Sequence, residues 1–77
     1  MYLHENQIEK GKQYSYKDIE EFAEHNNYSP TEHGTNIVGE NFIVLNHNDK
    51  DITVSFVLVG TGGDYYIYEC VYSDLNN

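Results

Sequence analysis

The chain contains no arginine and no tryptophan, one cysteine, one proline, and four lysines against thirteen acids. A single cysteine, Cys70, rules out a disulfide within the chain. A lone thiol suits a reducing compartment, where it packs as a small hydrophobe, and no activating base stands near it in sequence. A formal net charge of −9 repels phosphate backbones and anionic membranes, so direct binding to nucleic acid or membrane is not expected. The longest apolar stretch, "FVLVG" at 56–60, is too short to cross a membrane. The opening "MYLHENQIEKGK" has no apolar run of signal-peptide length. The expected location is the cytoplasm.

What remains is a chain of 77 residues, enough for one domain, 1–77, with no room for a second core. Chains this short sit at the margin of independent stability. The charge does not imply disorder, because eleven aromatics and dense β-branched runs can build a core.

Ser15 followed by Asp18 has the form of a capping box with a short acid. Ile19, Phe22, Ala23 and Asn26 then fall on one stripe at helical spacing, predicting a helix over 16–26. "YSPTEHGTNIVGE" reads as loop, punctuated by Pro30, Gly34 and Gly39. Three strand signals follow, at 40–46, 52–60 and 65–73, separated by the turn-forming "NDK" and "TGG". The expected fold is α+β: a single short helix on a three-stranded antiparallel meander, with the N-terminal residues adding a strand or short helix.

Ile52, Val54, Phe56 and Leu58 alternate with Thr53, Ser55, Val57 and Val59. A turn at Asp49-Lys50 sets Ile43 against Phe56 and Leu45 against Val54. For the third strand, a Gly62-Gly63 turn buries Glu69 beside Phe56. A Thr61–Gly63 loop instead brings Tyr66, Tyr68, Cys70 and Tyr72 to the core. The second is preferred, because an unpaired buried carboxylate costs several kcal/mol. The opposite face then carries Phe42, Val44, Val57, Val59, Tyr65, Ile67 and Val71, interrupted by Thr53, Ser55 and Glu69. One short helix covers only one face, so the other is expected to meet the N-terminal segment or another molecule. A homodimer through the edge strand or through this face, at Phe42, Val44, Val57, Val59, Tyr65 and Ile67, is the specific expectation.

Catalytic or metal chemistry finds little support in the residues. His4, His25, His33 and His47 form no HxH or HxxxH pair, and one cysteine cannot complete a structural zinc set. "NHNDKDIT" lacks the glycine and terminal glutamate of a calcium loop, and "GTGGD" has neither the lysine nor the following helix of a phosphate loop. No cofactor, metal or catalytic residue is expected, and the chain reads as a non-enzyme. The run "DIEEFAE" is more informative. It places Asp18, Glu20, Glu21 and Glu24 on the arc opposite Ile19, Phe22 and Ala23. Lys17 can relieve Glu21, but Glu20 and Glu24 repel each other at i, i+4.

In size, acidity, tyrosine-rich short strands and Asn/Lys/Glu/Tyr-heavy composition, the chain resembles the small acidic proteins of bacteriophages and mobile elements. Some of those inhibit host nucleases or CRISPR effectors. The resemblance implies an inhibitor or regulator of a host defence protein. The functional expectation is a protein-binding module that docks on a basic, nucleic-acid-binding partner through Asp18, Glu20, Glu21 and Glu24. The alternative is a homo-oligomeric accessory protein built on the second sheet face.

Overall fold

The computed structural model describes residues 2–76. A 3-10 turn at Glu5–Gln7 leads into β1 (Gln13–Ser15), helix α1 (Tyr16–His25) and β2 (Tyr28–Thr35). Strands β3 (Asn41–His47), β4 (Thr53–Gly62) and β5 (Tyr65–Ser73) follow, and a 3-10 turn at Asp74–Asn76 closes the order.

The sheet corrects the expected three-stranded meander: it has five antiparallel strands in the order β1-β5-β4-β3-β2. Strand β2 is the segment that reads as loop. Pro30 and Gly34 break any alternation there, and six of its eight residues are exposed. It is nonetheless a strand because it lies at the edge, where proline and irregular pairing are tolerated. Its pairing with β3 runs from Tyr28 opposite His47 to Thr35 opposite Asn41, with a bulge between Pro30 and Glu32. Side chains reinforce the ladder: Ser29 donates to Asn48 at 2.7 Å, and Asn46 donates to Thr31 at 2.5 Å. Strand β1, three residues long, is too short to leave a periodic signal.

The helix begins as its residues dictate. Ser15 Oγ accepts from the Asp18 N–H at 3.1 Å, and the Asp18 carboxylate accepts from the Ser15 N–H at 3.4 Å. It ends at Asn26, and Asn27 then turns left-handed with φ 65°.

The β3–β4 register is the one that a turn at Asp49-Lys50 requires, with Ile43 opposite Phe56 and Leu45 opposite Val54. The β4–β5 register differs from both alternatives. Gly62 pairs with Tyr65 around a Gly63-Asp64 turn, and Gly63 takes φ 66°, which favours glycine. Irregularities between Leu58 and Gly60 and between Ser55 and Phe56 then shift the pairing. Tyr68 and Cys70 reach the core opposite Leu58 and Phe56. Tyr72 does not: it pairs with Ser55 and is exposed. Tyr66 also stays exposed, at the far end of the strand.

The core lies on one side of the sheet. Phe22, Phe56, Val54 and Cys70 are completely buried, and Ile8, Leu45, Ile19 and Tyr28 nearly so. Tyr14 meets Phe56 edge-to-face at 6.0 Å.

The connections fix how this side is roofed. Strand β1 delivers the chain at Ser15, opposite Ile67, which pairs with Gly60 at one end of β4. The chain re-enters the sheet at Tyr28, opposite His47, at the Ile52 end. Ten helical residues span about 15 Å, and the edges of five strands lie about 19 Å apart. Helix α1 and the two residues after it therefore carry the chain diagonally over the sheet, from the β1 edge at the Gly60 end to the β2 edge at the Ile52 end.

Candidate functional site

The diagonal helix divides the core side of the sheet into two unequal roofs. One half is closed by the N-terminal segment. Ile8 is buried there, Tyr14 Oη donates to the Gln7 carbonyl at 2.8 Å, and the Asn26 side chain donates to the Leu3 carbonyl at 2.8 Å. Gly11 N–H donates to Cys70 O at 2.7 Å and Cys70 N–H to Lys12 O at 2.9 Å, tying this segment to β5. Leu75 packs against the same core.

The other half is covered by α1 alone, which keeps Ile19, Ala23, Ile43 and Leu45 nearly buried. Between α1 and strands β2 and β3 lies a trough of about 450 Å³. Ile19 and Ala23 form one wall, Ile43 and Leu45 the floor, and Pro30 and His33 the opposite lip. Glu20 and Glu24 stand on the helix side of it. A smaller hollow of about 290 Å³ continues past Tyr16, His33 and Ile43 towards Gly34 and Tyr68.

The four acids of the helix thus separate by role. Asp18 is exposed, but its carboxylate closes the capping box. Glu21 is half-buried, and 100° of helical rotation takes it away from Glu20. Glu20 and Glu24 are exposed, one turn apart, along the trough. Among the described residues the one ion pair is Lys12 with Glu9 at 3.2 Å, so no cation is paired with either glutamate.

The second face of the sheet holds the other expected site. Phe42, Val44, Val57 and Ile67 are half-buried there, and Val59 and Tyr65 are exposed. Phe42 pairs with Val57, and Val57 with Glu69, so a carboxylate interrupts the apolar row. The N-terminal segment packs on the helix side through Ile8 and Leu3, and so does not cover this face.

Other side chains that invited chemistry have structural work. His47 Nδ1 accepts from the Asp49 and Lys50 N–H groups at 3.0 and 3.2 Å, bracing the β3–β4 turn. His25 stacks on Tyr2 at 3.9 Å. Among the described residues no three His, Cys, Asp or Glu side chains converge as metal ligands. Burial pushes the Cys70 thiol above its ordinary pKa.

Sequence reasoning missed the trough, because it arises from a diagonal crossing that no local pattern encodes. It also missed the tip of the β2–β3 loop, where Ile37 and Val38 are 103% and 73% exposed. The Asn36 side chain holds that tip by accepting from Val38 N–H at 3.1 Å and Glu40 N–H at 2.9 Å.

Comparison with protein-family models, with curated proteins and with solved structures gave no match.

Proposed function

We propose that this protein is an acidic protein-binding module that docks on a basic, nucleic-acid-binding partner through helix α1. It acts as an inhibitor or regulator of that partner, by occupancy rather than by chemistry. The observation that carries the reading is the pair Glu20 and Glu24, exposed one helical turn apart with no cation among the described residues paired to either. Concentrated negative potential speeds encounter with a basic surface and competes there with phosphate. The test is capture of basic proteins from a nuclease-treated host lysate at low salt. Wild type should retain a nucleic-acid-binding protein that a folded Glu20→Lys/Glu24→Lys variant does not. Equal retention by both would remove the acids from the interface.

A second reading, homodimerisation through the opposite sheet face, is favoured by one specific observation. Phe42, Val57 and Ile67 lie half-buried on three successive strands, on the face of the sheet away from the core. The Cα extents are 31 × 30 × 20 Å. A broad face of those dimensions is large enough for the roughly 800 Å² per partner of a standard interface. The two readings use opposite sides of the molecule and are compatible.

A further inference from the structure

We propose that the trough between α1 and the β2–β3 edge of the sheet receives a basic amphipathic segment of the partner. One apolar side chain of that segment enters between Ala23 and Ile43, while flanking lysines or arginines meet Glu20 and Glu24. This rests on the docking function proposed above and names its binding site.

Three features support it. The trough runs beside the helix on the half of the core side that the N-terminal segment does not cover, where α1 alone overlies the sheet. Its volume of about 450 Å³ lies within the range of pockets that bury a ligand side chain. Its wall and floor are aliphatic at Ile19, Ala23, Ile43 and Leu45, while the helix lip is doubly negative. An apolar slot with an anionic lip selects an apolar anchor beside cations, the pattern by which amphipathic segments fill grooves. An acidic or purely polar segment would set like charges or unpaired polar groups there, and either is costly.

The probe is a synthetic peptide of lysine and leucine with one central tryptophan, and its control carries glutamate in place of lysine. The chain itself has no tryptophan, so emission reports the peptide alone. Wild type should bind the basic peptide with a blue shift and ignore the acidic one. Ala23→Leu, which fills the trough from the helix side, should weaken binding at least tenfold. Pro30→Tyr fills it from the exposed strand lip and should do the same, which covers the case of a misfolded Ala23 variant. Peptide-induced methyl NMR shifts should appear at Ile43 and Leu45, and not at Val57 or Ile67 on the other face. Binding unchanged by both filling variants but lost in Glu20→Lys/Glu24→Lys would overturn the trough and leave docking by charge intact. Shifts confined to Val57 and Ile67, or no peptide binding at millimolar concentration, would also overturn it. The lysate capture reads the broader function separately.

Discussion

Tyr28 donates its hydroxyl to the Glu5 carboxylate at 2.6 Å, tying the β2 edge of the sheet to the N-terminal turn across 23 residues of sequence. Burial, then the hydrogen bond to Glu5, raises the Tyr28 pKa far above its ordinary value of 10.0. Burial raises Tyr14 and Tyr68 as well. A group with a raised folded pKa contributes stability that is fully present below its unfolded pKa and is lost as pH rises towards the folded one. Stability is therefore expected to hold up to about pH 10 and to fall above it. Tyrosinate absorbance, free of tryptophan overlap, should show the buried Tyr14, Tyr28 and Tyr68 ionising only as circular dichroism is lost. Tyr28→Phe should cost about 1 kcal/mol at neutral pH and make the alkaline transition less steep.

Asn27 closes the helix in a left-handed turn while its side chain donates to Asp49 at 2.6 Å and accepts from Asn48 at 2.8 Å. It joins the end of α1 to the β3–β4 turn. Asn27→Ala combines a disfavoured φ with the loss of that clamp, and should destabilise by about 2 kcal/mol. Asn27→Gly keeps the backbone conformation, so it should cost clearly less. Urea denaturation of the two variants measures the difference.

Phe22 is completely buried between the helix and Tyr28, whose ring centre lies 5.0 Å away. Phe22→Ala should cost about 3–5 kcal/mol. A chain of this length has a total of about 4–12 kcal/mol, so the variant should lose a large share of its stability and melt well below wild type. Ile37→Ser, at the fully exposed loop tip, should stay within about 0.5 kcal/mol of wild type. Parallel thermal melts test both.

Homodimerisation predicts a sedimentation mass of twice 8.9 kDa at micromolar concentration. Val57→Lys should give a folded monomer, because Val57 pairs with Glu69 and the new ammonium would lie beside that carboxylate. A wild-type monomer, with the variant unchanged in stability and solubility, would dismiss the dimer.

How far the sequence could be read depends on where each signal resides. Ser15 and Asp18 announce the helix start because the cap is a local hydrogen-bond exchange. Ile43, Leu45, Val54 and Phe56 announce their face because a short connection, closed by the His47 N–H donating to Ile52 O, transmits register. Strand β2 was illegible: Pro30 and Gly34 mimic a loop, and the strand owes its existence to β3 alongside it. The register of β5 was hidden by irregularities around Val59 and Val71, where one extra residue re-aims every later side chain. The acids of α1 were visible as charge, yet only the packed helix shows that Asp18 serves the cap while Glu20 and Glu24 flank a trough.

The role of Glu20 and Glu24 is decided most directly by a competition measurement on the captured basic partner. Loaded with labelled nucleic acid, the partner is titrated with wild type and with folded Glu20→Lys/Glu24→Lys at low and high salt. Wild type should displace the nucleic acid at low salt and lose at least tenfold in potency at 1 M, where the screening length falls to about 3 Å. The double variant should displace nothing at either salt concentration. Displacement by the variant equal to wild type at both would contradict the assignment of α1 as the docking surface.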